Sequence, residues 1–334
     1  MNNNSVLRPE PLAGTPAARR RQQAANAQAP RKLLPALMLT LALAACGGSD
    51  DVPAPEASVR GQLTITNSDN SVAGCAVDAD GAIATCSVRD VAELHGPGSI
   101  EVRRAQAYIS NLGDHSVAVC AMADAGNVGA CTLSYDAFVS PMGLASHDAH
   151  LYVTHSDDTV AACPIGGDGQ LDDCNITAAG GAFSNPAGIA AGERRVFVAN
   201  QGDDTVAVCS LSIDGSLLDC AKQDGGGAFA TPTGVAYSAS RLYVTNIGDN
   251  SVSTCTVNAG DTLVNCSKLA DADNLSLPTD IAINGSTAYI TNLGSHTLAV
   301  CRIGASGEVT ACEAGSAGET LLYPSGIVFT PSAF

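Results

Sequence analysis

A chain of 334 residues with 33 Asp and Glu against 16 Lys and Arg carries a formal charge of −17. That balance excludes nucleic acid as a partner, because affinity for a phosphate backbone is built on Lys and Arg. Thirteen cysteines, against no tryptophan at all, call for a reading by spacing.

At the amino terminus Arg19, Arg20, Arg21, Arg31 and Lys32 precede an uninterrupted apolar run from Leu33 to Ala45. A positive flank before a short apolar core predicts a signal segment over residues 1–45. Thirteen residues fall short of the roughly 20 that span a bilayer. The run ends in Leu43-Ala44-Ala45-Cys46-Gly47, which resembles a lipobox. The resemblance implies cleavage before Cys46, acylation of that residue and, with Gly rather than Asp following, delivery to the outer membrane. An ordinary secretory signal with an incidental cysteine is the competing reading. Residues 46–60, GGSDDVPAPEASVR after the cysteine, have linker composition and reach at most about 50 Å. Without residues 1–45 the chain keeps 10 Lys and Arg against 32 Asp and Glu, a charge near −22. An anionic membrane repels such a body, so the acyl chains on Cys46 are the expected membrane contact.

Residues 61–334 hold an internal repeat. Apart from Cys46, the cysteines fall as Cys75 and Cys86, Cys120 and Cys131, Cys163 and Cys174, Cys209 and Cys220, Cys255 and Cys266, and Cys301 and Cys312, always with ten residues between. The first members are spaced 45, 43, 46, 46 and 46 residues apart. A phrase recurs with them: LTITN ending at Asn67, AYISN at Asn111, LYVTH at His155, VFVAN at Asn200, LYVTN at Asn246 and AYITN at Asn292.

Each unit reads as four strands. The first follows a proline, as in Pro186-Ala187-Gly188-Ile189-Ala190, and is small and apolar, as an inner strand must be. The second is the LYVTN phrase, with an aromatic alternating against Ile or Val in a sheet buried on both faces. The third and fourth carry the cysteines. Midway between each pair lie Asp80-Gly81, Ala125-Gly126, Asp168-Gly169, Asp214-Gly215, Gly260-Asp261 and Ser306-Gly307, read as hairpin turn pairs. Residues equidistant from such a turn face each other at a Cα separation of about 4.5 to 5.5 Å, within disulfide reach; a strict two-residue turn would make the cysteines a hydrogen-bonded pair and a four-residue turn a non-bonded one, and both remain open. Metal ligation is the competing reading, but the two- to four-residue spacings of structural zinc sites are absent.

Six four-stranded units predict an all-β, six-bladed propeller with one disulfide in each blade. The first unit lacks a proline-led strand before Leu63, and the chain ends in a surplus one, Pro324-Ser325-Gly326-Ile327-Val328-Phe329. Pairing that strand into the first blade would close the ring, a complementarity for which an open solenoid has no use. The phrase LYVTNIGDNSV from Leu242 to Val252, with its proline-glycine strand upstream, resembles the YVTN and NHL classes of propeller repeat. The resemblance covers nearly all of residues 61–334 and implies the fold. Similar propellers serve as interaction platforms, lactone hydrolases and lyases, so it implies no single activity. The missing tryptophan excludes Trp-Asp blade signatures, and the cysteine pairs go beyond the basic repeat.

Candidate chemistry belongs on the face built by the loops after strand two and after strand four. Asp69, Asp114, Asp157, Asp203 and Asp249 recur there, and a ring of carboxylates suits a hard cation such as calcium. The same residues suit turns, whose backbone Asn and Asp side chains bind. A single substrate meets the ring in one orientation, so catalysis should show as broken symmetry. Asp280 replaces the inner-strand glycine of Gly143, Gly188, Gly234 and Gly326, and Glu101 is a second inner-strand carboxylate; either is a candidate base. His115 and His296 occupy equivalent turns, roughly 120° apart around a six-fold ring. His95 and His155 are expected in loops of the first face, His147 and His150 on the opposite one.

The expected function is a monomeric, lipid-anchored binding platform at the cell envelope, holding an envelope protein or a small ligand and needing no cofactor. The alternative is a calcium-type hydrolase or lyase like the lactonase propellers. Inner strands reading GLASH, GIAAG, GVAYS and GIVFT supply few groups for such chemistry.

Overall fold

The computed structural model describes residues 61–123, 126–135, 138–269, 274–315 and 321–332; the expected signal segment, Cys46 and the linker lie outside them. Twenty-four strands form six four-stranded antiparallel sheets, the blades of a propeller. The blades are β1 (Gly61–Asn67), β2 (Ser71–Val77) and β3 (Ile83–Asp90) with β24 (Pro324–Pro331); β4 (Pro97–Arg103) to β7 (Val128–Ser134); β8 (Pro141–His147) to β11 (Asn175–Thr177); β12 (Pro186–Gly192) to β15 (Leu217–Gln223); β16 (Pro232–Ser238) to β19 (Leu263–Leu269); and β20 (Pro278–Asn284) to β23 (Val309–Ala314). The proline-led strands β4, β8, β12, β16, β20 and β24 surround the axis, each against the next. Closure is as expected: β24 pairs antiparallel with β1, Ile327 opposite Ile65 and Phe329 opposite Leu63.

The second strand of each blade is buried along its length. Its aromatic alternates with aliphatics facing the neighbouring blade, so Tyr108 packs with Leu144 and Val153 while Ile109 packs with Val72 and Ile100. Two polar positions within it tie one blade to the next. The tyrosine hydroxyl donates to the hairpin carbonyl of the following blade, from Tyr108 to Gly169 (2.8 Å), Tyr152 to Gly215 (3.0 Å), Tyr243 to Gly307 (3.0 Å) and Tyr289 to Gly81 (2.8 Å). In the first blade Thr64 reaches Gly126 (3.0 Å). Phe197 has no hydroxyl, and there Arg195 bonds the Asp261 carboxylate instead. The residue before the terminal Asn or His is the second tie. Thr154 accepts from the Gly143 N–H (2.7 Å) and donates to the Ala187 carbonyl of the next inner strand (2.5 Å). Thr66, Ser110, Thr245 and Thr291 repeat the arrangement, and only Ala199 breaks it.

All six disulfides form in the expected pairs: Cys75 with Cys86, Cys120 with Cys131, Cys163 with Cys174, Cys209 with Cys220, Cys255 with Cys266, and Cys301 with Cys312. The first cysteine of each pair is fully buried between blades. The second (Cys86, Cys131, Cys174, Cys220, Cys266 or Cys312) is half-buried at the rim.

Three details differ from expectation. The Cα separations are 3.9–4.1 Å, shorter than anticipated. The connection in the first blade is neither a two- nor a four-residue turn: Asp78 N–H bonds the Ala82 carbonyl across a five-residue loop, Gly81 sits at φ 84°, and a bulge separates the Cys75–Cys86 pair from Val77–Ile83. Nor do all the cysteines face each other in the ladder. Cys86, Cys131 and Cys312 stand directly opposite their partners. Cys220 and Cys266 instead fall inside a register shift, next to Asp219 and Asn265 at φ 48° and 51°, and Cys174 just precedes β11. A bulge takes up the odd residue in each hairpin, and its position decides whether the disulfide lies within the ladder or at its break. Disulfides persist in oxidising compartments, which makes this an extracytoplasmic body. Among the described residues no helix is long and apolar enough to cross a membrane.

Replacing Thr154 by Val keeps shape but leaves the buried Gly143 N–H without its acceptor. Equilibrium urea unfolding of the oxidised protein should show a loss of about 1–3 kcal/mol, with an unchanged denaturant slope.

Candidate functional site

The six inner strands enclose an axial channel of about 900 Å³ that is open to solvent. Its walls follow from the repeat. At the third residue of each inner strand stand Ser99, Gly143, Gly188, Gly234, Asp280 and Gly326. Glycine recurs because the strands crowd together: a Cβ at Gly188 would lie 2.1 Å from the Thr233 carbonyl oxygen. The next residues, Ile100, Leu144, Ile189, Val235, Ile281 and Ile327, are aliphatic and buried, and all line the channel. Leu112, Gln201, Ile247 and Leu293, each following the terminal Asn of a second strand, form part of one mouth.

Among the described residues that line the channel, the only carboxylates are Glu101 and Asp280, and no Lys, Arg or His joins them. They stand on β4 and β20, the two inner strands that flank the closing strand β24. Asp280 accepts from the Ile281 N–H (2.9 Å) and, across the seam, from the Ile327 N–H (3.1 Å). Glu101 accepts from the Ser146 hydroxyl of β8 (2.6 Å). Burial pushes the Asp280 carboxyl up to about 7; the two backbone N–H groups oppose the shift and the nearby Glu101 adds to it. Burial likewise raises Glu101 to about 7 against the Ser146 bonds and the charge of Arg103. Both residues therefore line the channel with a raised pKa whose main cause is burial.

The five aspartates of the repeat stand elsewhere. Each carboxylate accepts from a hydroxyl two residues on: Asp69 from Ser71 (2.6 Å), Asp114 from Ser116 (2.7 Å), Asp157 from Thr159 (2.6 Å), Asp203 from Thr205 (2.6 Å) and Asp249 from Ser251 (2.5 Å). The hydroxyl in turn accepts from the Asn that ends strand two, as Asn111 does to Ser116 (3.1 Å) and Asn246 to Ser251 (3.0 Å). Asp203 and Asp249 also pair with Lys222 (2.6 Å) and Lys268 (2.7 Å) of strand four. None of the five lines the channel, and among the described residues no three His, Cys, Asp or Glu side chains gather as a metal-binding group.

The histidines are repeat residues in altered form. His115 and His296 share a left-handed position, φ 58° and 57°, with Asn70, Asp158, Asp204 and Asn250. His115 Nδ1 accepts from the Ser140 N–H of the next blade (2.8 Å), as Asp158 does from Asn185 (2.6 Å), whereas His296 packs its ring on Tyr323. His95 lies 3.4 Å from Asp114. His155, expected in a loop, is instead the fully buried last residue of its strand, standing where other blades have Asn; its Nδ1 is 3.0 Å from Thr159 Oγ1 and burial lowers its pKa. His147 and His150, also expected in a loop, instead end β8 and begin β9, facing each other across the turn between them. Ser146, the partner of Glu101, went unnoticed in the sequence because only the ring places it beside β4.

Fold and channel together define a six-bladed, disulfide-stapled propeller with an apolar lumen and two acids at its closing seam. No protein-family model matches the chain, and no curated protein matches it. Among solved structures it is similar to the nidogen/laminin complex (TM-score 0.63, 14% identity, covering 80% of this chain and 98% of that one). It is also similar to a periplasmic gluconolactonase from Pseudomonas aeruginosa (0.55, 17%, 78% and 80%) and to virginiamycin B lyase from Staphylococcus aureus (0.51, 12%, 81% and 92%). At these identities the likeness is one of fold, shared by binding proteins and by enzymes.

Asp280 and Glu101 hold their protons more firmly folded than unfolded, where carboxyls titrate near 4. Their contribution to stability is complete below about pH 4 and is lost as pH rises through 7, at up to about 1.4 kcal/mol per pH unit for each group. His155, buried in its neutral form, acts in the opposite sense over the upper part of that range. Unfolding free energies measured from pH 4.5 to 7.5 should therefore fall less steeply in Asp280→Asn than in the unaltered protein; parallel curves would disprove the shift.

Proposed function

We propose that the protein is a ligand-binding propeller of the cell envelope whose axial channel is the binding site. One observation carries this reading: a channel of about 900 Å³, open to solvent, lined by Ile, Leu, Val and Ala of the inner strands together with Ser and Thr hydroxyls and the carboxylates of Glu101 and Asp280. Small-molecule sites have this size and combine apolar wall with placed polar anchors. The rigid blades keep the lumen preformed, which lowers the ordering cost of binding. Export through the segment at residues 1–45 and acylation at Cys46 would hold the body at the outer membrane, with residues 47–60 as the tether. Nucleic acid remains unsuited as a partner to so acidic a body.

A second reading is a hydrolase or lyase using Asp280 or Glu101 as base, with calcium as an aid. It is favoured by the position of both groups in the channel, where burial raises their pKa and makes them stronger bases than free carboxylates. For calcium, two carboxylates would have to be supplemented by hydroxyl and carbonyl oxygens of the lining.

Native mass spectrometry of the protein released gently from its host's membranes should reveal a retained small molecule. Ala236→Trp, which adds bulk at the channel lining of β16, should abolish that retention in protein whose circular dichroism matches that of the unaltered ring. Retention equal in both forms, or in neither, would remove the channel as the site. A rise in melting temperature with millimolar calcium over chelator, absent in Asp280→Asn, would instead move the weight to the enzyme reading.

A further inference from the structure

The channel's chemistry narrows what it can hold. Its lining has two carboxylates, no cationic side chain among the described residues, hydroxyls such as Ser99, Ser146, Thr279 and Ser325, and a wall of Ile, Leu, Val and Ala. The basic group whose charge bears on Glu101 is Arg103, two residues further along β4, and it does not line the channel. Around the sixth residue of the inner strands stand Ser146, Tyr237 and Phe329, which bring two aromatic rings to the lining next to the level of Glu101. Each carboxylate already has hydrogen-bond donors from the protein, but neither has a countercharge in the lumen. An anionic or neutral polar ligand would meet uncompensated acids, whereas a cation supplies what both lack. The whole-chain charge of −17 draws cations toward the body as well.

We propose that the channel takes an organic cation, a primary ammonium or guanidinium on an apolar body, seated with its charge between Glu101 and Asp280 and its apolar part along the aliphatic wall. The assignment rests on the channel being the ligand site. The apolar body accounts for the aliphatic part of the wall and the positive head for the acids; the rings of Tyr237 and Phe329 among the lining residues are further attractors for a cation. Carboxyls held near neutrality by burial suit the role, since the incoming charge stabilises their ionised form.

The test uses three matched probes on the full oxidised protein at constant ionic strength: hexylammonium, hexanol and hexanoate, followed by titration calorimetry. Hexylammonium should bind at least about tenfold more tightly than hexanol, a difference of about 1.4 kcal/mol, and hexanoate should bind least. Glu101→Gln with Asp280→Asn should reduce hexylammonium to the level of hexanol, while Asp90→Asn on the exposed edge strand β3 should leave it unchanged. If the double variant does not fold, 13C-carboxyl-labelled glutamate in the unaltered protein gives a second readout, in which the Glu101 resonance should move with hexylammonium and not with hexanol. Equal binding of hexanol and hexylammonium would overturn the cation and leave the channel as an apolar site. Failure of all three probes to bind would overturn the channel reading itself.

Discussion

Everything at the axis depends on one pairing, that of β24 with β1. The two strands are about 260 residues apart in sequence, so the contact closes a very long loop and its entropic cost must be met by the ladder they share. Without β24 the first blade would have three strands, the lumen would lack a wall, and Asp280 would lose the Ile327 N–H that it holds across the seam. Thr66 reinforces the join, because its hydroxyl accepts from Gly326 on the closing strand and donates to Gly98 on the next inner strand. The two channel acids flank this seam, so the least local contact of the fold is also the support of its most distinctive chemistry.

The disulfides act at a different radius. They lie between the third and fourth strands of each blade and close only short loops, so each secures its own outer hairpin and none joins one blade to another. Cohesion between blades comes from burial and from the tyrosine and threonine hydroxyls of the second strand, which reach carbonyls of the neighbouring blade. Reduction should therefore loosen the rim before it opens the ring. A repeat protein gains from this division, since local staples leave the stacking of one blade on the next to side chains that repeat.

Much of this architecture was legible because a propeller writes its plan as a period. Cysteines at fixed separation, a proline before each inner strand and a surplus strand at the end yielded blade count, pairing and closure. Turn detail was not legible: Asp80-Gly81 looks like a two-residue turn, but a left-handed glycine in a five-residue loop plus a bulge keeps Cys75 and Cys86 opposed equally well. Equal spacing also concealed that the bulge shifts from blade to blade, so that Cys131 is a ladder partner of Cys120 while Cys220 and Cys266 sit at a break. The roles of Tyr108, Thr154 and Ser146 were invisible for another reason, because each acts on a strand of the adjacent blade. The aspartates of the repeat were open to both a cation reading and a turn reading, and the hydroxyls at Ser71, Ser116 and Thr159 show their carboxylates bound within their own loops. Asp280 and Glu101 stood out only by breaking the repeat.

That break separates residues that serve every blade from residues that serve one place in the ring. A carboxylate in every blade serves every blade, and its energetic effect is symmetric. A carboxylate present once, in an apolar ring where burial disfavours its charge, costs stability near neutral pH that Ala or Gly at the same position would not. Asp280 recovers part of that cost by capping the Ile327 N–H, and it is thus both a structural seam residue and a wall of the lumen. Glu101 is held by the hydroxyl and the backbone of Ser146 in the next blade, while the five equivalent positions, Ala145, Ala190, Ala236, Ala282 and Val328, build the same strand without any acid. The repeat thus asks for a small or apolar residue at this level, and it accommodates Glu101 only through donors supplied by its neighbour.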